Sequence, residues 1–509
     1  MSLLAVVLIL LVLFGSFGFL FAKVSRHGSS RNLGKLPPGP RGLPAIGHLH
    51  MLGKLPHQTL THLSKIYGPI MSIKLGTVRT IVVSSPRAAE LFLKTHDLVF
   101  ASRPKTQAGE IFFNGSKAVV LTPYSKYWRD VRKLYAVHLL NPSKIEQFKP
   151  IRTEEIGVVM NHLKNAAEKD EVVNVSNIMV ELLENLVYRM IFGRGKNDAD
   201  DKLKELLEEI ASTTGAFNIS DYFPLLAPLD LQGLARRMKT QRKSIDVIFD
   251  KIIEEHEQQK HHRSKDHKDF VDVLLSLLDQ SIDPQDEKSE IISRTHIKAI
   301  LLDIVGVASE TSAKAIEWTF SEILKNPRVM KKLREELETV IGMDKMVQES
   351  DLPKLTYLDM VIKEGLRLHP VGPLSVPHES MEDVWVDGFY IPRKSTVLIN
   401  MWSMGRDRDV WGDNTEEFYP ERYENEDSDI QGLDFKFIPF GSGRRRCPGM
   451  QMAMLNLRLV LAQMVHSFDW KMPYGMVSED IDMDEEHIAY VTVGRANNVF
   501  ARPIYRLNC

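Results

Sequence analysis

The chain opens on an unbroken apolar run: Met1 to Ala22 is mostly Leu, Val, Phe and Ile and carries no charged side chain. As a helix such a run spans about 33 Å, enough to cross a bilayer core of about 30 Å. Lys23, Arg26, Arg31 and Lys35 follow at once, which by the positive-inside rule puts the amino terminus in the lumen and the remainder in the cytosol. A cleaved signal peptide is the other reading. It fits less well, because the run exceeds a usual h-region and its basic residues lie on the wrong side. Arg31 to Gly47 is rich in proline and glycine, with Pro37, Pro38, Gly39, Pro40 and Pro44, a stiff extended composition that cannot continue a helix. The pattern divides the chain into an anchor at 1–22, a basic and proline-rich linker at 23–47 and one large domain at 48–509.

Within that domain, helical periodicity from His57 to about Asp97 alternates with short apolar runs at Met71 to Leu75 and Thr80 to Val83, which suit a small sheet beside helices. From about Tyr127 to Gly342 the pattern is mainly helical, and Arg294 to Lys325 predicts one long helix that stops before Pro327. After Pro370, short extended runs fall at Val384 to Val386 and Thr396 to Asn400, and helical spacing returns at Met450 to Phe468. The charged stretch Glu254 to Asp269 reads as a solvated loop or helix end, its histidines as polar filler. The predicted class is mainly α with a minor β portion.

Composition narrows the function. Hydrophobic residues make up 43% and charged residues 26%, a globular balance. The 65 basic and 67 acidic side chains nearly cancel, which argues against a nucleic-acid partner. Cys447 and Cys509 are the only cysteines, so there is no disulfide framework and a reducing compartment fits. Asn114, Asn174 and Asn218 begin glycosylation sequons, which a cytosolic domain leaves unmodified.

One short segment carries specific chemistry. Phe440 to Gly449 reads FGSGRRRCPG, with Phe440, Gly443, Arg445, Cys447 and Gly449 at fixed spacing. A thiolate that binds haem iron approaches the metal from a tight loop, where glycines allow close backbone approach and nearby cations and amides keep the sulfur ionised. Five fixed positions match a chain of this length by chance with probability on the order of 10⁻⁴. The segment resembles the haem-binding loop of cytochrome P450 monooxygenases. That resemblance implies the cytochrome P450 fold, haem b as cofactor and Cys447 as the iron ligand.

Further motifs resemble the same family. Glu364 and Arg367, in KEGLRLHP, stand one helical turn apart, and Arg422 in YPERY matches the third member of the family's structural Glu-Arg-Arg triad; Tyr423 replaces the usual Phe. Trp128 and Arg132 share one helix face in YWRDVRK, and an arginine fork suits a haem propionate. His378, in VPHES, falls where the family often places another propionate donor. Oxygen activation is expected in the long helix, where the family has a small residue, Gly, any residue, an acid and Thr. Glu310 and Thr311 match that acid–threonine pair and would relay protons, whereas Val307 and Ala308 replace the small residue and the glycine, with Gly306 too early to take its place.

The chain shows no flavin or nicotinamide fingerprint, so electrons are expected from a NADPH-dependent cytochrome P450 reductase, with Lys126, Arg129, Lys133 and Arg444 to Arg446 as the basic docking surface. The resemblance places substrate-contacting segments over Ile111, Phe112, Phe113, Val119, Ile304, Val305, Val307, Ala308, Leu374, Val376 and Tyr490. This lining is apolar, so a small neutral lipophile follows. FPLLAPLDLQG, DFVDVLL, AIEW and VPHES are similar to plant microsomal members that make specialised metabolites, with a terpenoid favoured over a phenolic. The expected protein is a single-pass enzyme of the endoplasmic reticulum membrane. A peroxide-rearranging relative, a non-enzymatic haem carrier or sensor, and a haem-free helical scaffold are the alternatives.

Overall fold

The computed structural model describes residues 34–508 apart from 114, 116, 197–200, 260–267, 283–285, 287–288, 425–428, 474 and 490. The run Met1 to Ala22, the first part of the linker, the Asn114 sequon, the histidine-rich centre of Glu254 to Asp269, Tyr490 and Cys509 lie outside the described residues. Among the described residues no helix is long and apolar enough to cross a membrane.

Helices dominate. Those that frame the site are α1 (Pro56–Tyr67), α2 (Gln107–Phe112), α3 (Lys126–Leu134), α4 (Val175–Phe192), α5 (Leu234–Gln259), α6 (Arg294–Lys325), α7 (Thr356–Leu368) and α8 (Met450–Ser467). Helix α6 is the axis of the domain. Its apolar residues are not confined to one stripe, as a helix enclosed on all sides requires, and it packs against α4, α7 and α8. It starts where the Ser293 amide donates to His296 Nδ1 at 3.2 Å. Asn326 ends it, and Pro327 opens the next helix because it needs no amide partner there.

The β portion is small and divided among separate sheets. Strands β1 (Ile70–Leu75), β2 (Val78–Val83), β3 (His378–Glu379) and β6 (Thr396–Ile399) form one sheet in the order β1-β2-β6-β3. Between β3 and β6 the hairpin β4 (Val384–Val386) and β5 (Phe389–Ile391) pairs separately, and β7 (Glu485–Ala489) pairs with β8 (Thr492–Arg495) near the end of the chain. Gly76 makes the β1–β2 turn at φ +59°, and a Cβ there would stand 2.6 Å from the Tyr222 carbonyl. Both facts demand glycine. The main core runs through the helices, and two smaller apolar clusters underlie the sheet.

Candidate functional site

Cys447 sits in the loop that leads into α8. Its amide donates to the Phe440 carbonyl at 2.9 Å, which closes the loop. Gly443 takes φ +65°, and a Cβ there would press on the Leu93 carbonyl at 2.5 Å and the Asp97 carboxylate at 2.6 Å. Gly449 differs, because a Cβ there would meet nothing within 4 Å; neither turn nor packing within the chain explains it, but a flat group laid against the loop would. Burial pushes the Cys447 thiol up, while the amides of Gly449 and Met450 at the start of α8, together with Arg132, push it down. A bound metal cation settles that contest in favour of the thiolate.

The arginines beside this loop have the signature of a missing anion. Arg132 Nη2 donates to the Arg446 carbonyl at 2.6 Å, but its buried Nη1 has no hydrogen-bond partner among the described residues. Arg445 directs Nε, Nη1 and Nη2 to the carbonyls of Ala101, Val119 and Thr122 at 2.6, 3.2 and 2.7 Å, and its guanidinium lies 4.1 Å over the Trp128 ring. Burial, with Arg103 and Arg132 close by, lowers its pKa to about 8. Buried cations held only by carbonyl dipoles are costly. A dianionic group such as a haem with two propionates supplies what they lack, so the residues present fit that cofactor.

Trp128 and His378, the other expected cofactor-binding side chains here, each have a partner within the chain. The Trp128 indole N–H donates to the Val119 carbonyl at 3.0 Å, so Trp128 braces Arg445 instead of reaching outward. His378, on β3, faces the Phe100 carbonyl through Nδ1 at 2.8 Å. A carbonyl only accepts, so Nδ1 carries the proton. Burial, then Arg103, hold the ring well below the usual histidine range. His378 is therefore neutral with its one N–H committed, and it donates to an anion only after taking a second proton.

Glu364 and Arg367, both on α7, form a bidentate pair at 2.8 and 2.9 Å, and Arg422 Nε reaches Glu364 Oε1 at 2.9 Å. Glu364 is 0% and Arg367 2% exposed, so this is a buried cluster and not a surface pair.

Helix α6 is buried at both ends, but the stretch from Gly306 to Thr311 retains accessible surface, with Val307 at 42%. The middle of this otherwise enclosed helix is thus left uncovered by other side chains. Thr311 Oγ1 donates to the Val307 carbonyl at 2.8 Å, and the helix continues through Ala308 without interruption. Burial pushes the Glu310 carboxyl up, opposed by Lys314. Of the expected pocket residues, Ile111, Phe113 and Ala308 are partly accessible; Val119, Ile304 and Val305 are buried in the main core. Phe112, 1% exposed, belongs to the same core. Leu374 packs on the cluster beneath the sheet, and Val376 offers its carbonyl to Arg103 Nη1 at 2.6 Å.

The basic surface is thinner than the sequence suggested. Lys126 pairs with Asp130 at 2.8 Å and Asp286 at 3.1 Å, Arg444 pairs with Asp97, and Arg446 donates to the Gln431 carbonyl at 2.9 Å. Arg129 and Lys133 remain exposed. The spacing of motifs gave no hint of Arg103, buried beside Val120, Val376 and Pro377, or of Asp303 on α6. A lone acid in the apolar run AILLDIV was the available signal for the latter.

A cysteine loop, half-buried arginines lacking an anion and an accessible patch on an enclosed helix coincide with a sequence match. The family model for cytochrome P450 covers residues 37–494. The chain belongs to the cytochrome P450 family. It is 50% identical over 473 residues to cytochrome P450 CYP736A12 of Panax ginseng, covering 93% of this chain and 94% of that protein. A flavonoid 3'-monooxygenase, CYP75B137 of Crocosmia x crocosmiiflora, is 38% identical and covers 93% of each chain. A desmethyl-deoxy-podophyllotoxin synthase of Sinopodophyllum hexandrum is 38% identical, covering 95% of this chain and 94% of that one. This P450 is accordingly a haem-dependent monooxygenase of the plant type.

Proposed function

We propose that the enzyme hydroxylates a small neutral lipophilic specialised metabolite, a terpenoid in the first instance, with electrons from a NADPH-dependent P450 reductase. The observation that carries this reading is the accessible apolar patch Gly306-Val307-Ala308, none of whose own side chains offers a cation to a substrate carboxylate, separated by one residue from Glu310 and Thr311. Haem iron with a thiolate ligand supplies reduction of O₂ and cleavage of the O–O bond when bound. Cys447 would provide the thiolate, Arg132 and Arg445 the propionate charges, and Gly449 the clearance. Thr311 donates its hydroxyl hydrogen to Val307 and keeps its lone pairs free to accept. Glu310, pushed up by burial, holds its proton to higher pH than an exposed glutamate, so the pair can pass protons inward. One oxygen atom enters a substrate C–H bond, and the other leaves as water with two electrons from NADPH and two protons, one accounted for by NADPH and one by the medium.

A phenolic substrate is the second reading, favoured by the flavonoid 3'-monooxygenase among the relatives. The uncharged run Met1 to Ala22 and the basic residues after it support anchoring in the endoplasmic reticulum membrane with a cytosolic domain. The deciding experiment is metabolite profiling of cells that express the full chain with a P450 reductase. A reductase-dependent hydroxylated terpenoid supports the first reading. Product formed without a reductase would overturn both in favour of a peroxide-rearranging enzyme.

A further inference from the structure

Asp303 is a buried carboxylate that the chemistry above does not use. It is 2% exposed and stands between Leu302 and Ile304 on α6. Its Oδ2 accepts from the Val119 amide at 3.0 Å and from the Tyr135 hydroxyl at 3.0 Å. The carbonyl of the same Val119 faces the other way, toward Trp128 Nε1 at 3.0 Å and Arg445 Nη1 at 3.2 Å. One residue of the pocket loop is thus gripped at its amide by the pocket helix and at its carbonyl by the side chains next to the cysteine loop.

We propose that Val119, buried against α6, walls the ligand space, and that Asp303 is a positioning residue that latches it there and sets how readily that wall opens to an entering ligand. The groups around it are poor partners for a charge. Tyr135 and Tyr127 face it from α3 and the turn that follows, both with pKa values raised, and Arg132 is felt at Tyr135. Beyond Tyr127 lie Lys117, Glu290 and His296, which satisfy one another. Burial pushes the Asp303 carboxyl up to about 6, against the pull of the Val119 and Tyr135 donors. Water is the better partner for the ionised form, so charge on Asp303 favours the opened, hydrated loop, whereas the neutral form favours the closed one.

Two arms test this on the full chain. The first follows amide hydrogen exchange at Val119 and Val120, corrected for intrinsic rate, between about pH 5 and pH 8. Protection should fall as pH rises through about 6, by up to about 100-fold, since each unit of pKa difference is tenfold. Asp303→Asn, which resembles the neutral form, should remove the pH dependence and exchange more slowly than the parent at pH 8. Tyr135→Phe removes a donor and should exchange faster. Unchanged or faster exchange in Asp303→Asn overturns the latch. The second arm rests on the haem reading. It measures the rate at which 4-phenylimidazole and imidazole shift the Soret band at pH 8, where Asp303→Asn should slow the larger ligand about tenfold and leave the smaller unaffected. Equal slowing of both, or of neither, overturns the claim that Val119 walls the pocket. Failure to bind haem instead refutes the function proposed above, and the first arm still decides the latch.

Discussion

Glu364→Ala is the substitution whose cost the structure specifies most directly. The carboxylate receives Arg367 Nε at 2.8 Å, Arg367 Nη2 at 2.9 Å, Arg422 Nε at 2.9 Å and the Tyr419 amide at 2.9 Å. With it gone, Arg367 keeps the carbonyls of Gly405, Thr415 and Glu417, and Arg422 those of Trp411, Asn414 and Glu417 together with the Asn414 side chain. Two guanidinium groups are then buried without an anion. Breaking a buried ion pair by removing one partner costs about 3–5 kcal/mol, a large part of a total stability of about 5–15 kcal/mol. Glu364→Gln retains shape and one acceptor oxygen but turns an amide toward a cation, so its loss should be about 1–3 kcal/mol. The assay is the urea midpoint by circular dichroism, read beside haem bound per chain. The expected order of midpoints is parent, then Gln, then Ala, with haem content following it. A Glu364→Ala variant that unfolds at the parent's midpoint and loads haem normally would refute the claim that this cluster braces the fold.

Cys447→Ser should abolish the thiolate-type Soret band of the reduced carbonyl complex while Cys509→Ser leaves it intact; an unchanged band in the first variant rules Cys447 out as ligand. Thr311→Ala should keep haem and fold, since Val307 loses only a side-chain donor, yet lower product formed per NADPH toward the smaller end of about 10²–10⁴-fold and raise hydrogen peroxide. Thr311→Ser should restore the ratio, and an unaltered ratio in the alanine variant would place the proton path elsewhere. Removal of residues 1–22 should move the protein toward the soluble fraction with haem retained, whereas glycans on Asn174 or Asn218 of the intact chain would place the domain in the lumen. Asp303→Asn should gain stability over the parent above pH 6 and none near pH 4. The folded carboxyl near 6, against an ordinary 3.8, means that the fold binds an extra proton between those values, and the parent's penalty at neutral pH is up to about 3 kcal/mol.

The long periodic elements are legible in the amino-acid sequence. Arg294 to Lys325 is one helix with those bounds, and the runs at Met71, Thr80, Val384 and Thr396 are all strands, because apolar spacing reports which face is buried. Spacing also brings out Glu364 with Arg367, three residues apart on one helix. What spacing cannot carry is contact between segments distant in sequence. Arg103 meets Val376 across 273 positions and Asp303 meets Val119 across 184, and no local rule encodes either. Charge patterning misleads for a related reason. Lys126 and Arg444 look free in the sequence, but Asp286 and Asp97 fold back to neutralise them. Phe112 and Phe113 show the same limit, since adjacent rings in one segment differ in burial and position alone does not say which is the more enclosed.

The middle of α6 shows how one departure from the family pattern is absorbed. A glycine at 308 would remove a side chain where the helix borders the accessible space and would let the backbone loosen. Here Ala308 keeps the helix regular, and Thr311 ties its hydroxyl to the Val307 carbonyl, so the groove near the proton-relay pair is bounded by a closed helix wall. Gly306 does not replace the missing glycine by packing, for a Cβ there would meet nothing within 4 Å. It lies just before Val307, however, and both are exposed. The uncovered stretch of the helix therefore begins at Gly306, directly after the buried Asp303, Ile304 and Val305. On the latch proposed above, access is governed less by an opened helix turn at the threonine than by the loop that Asp303 holds at Val119.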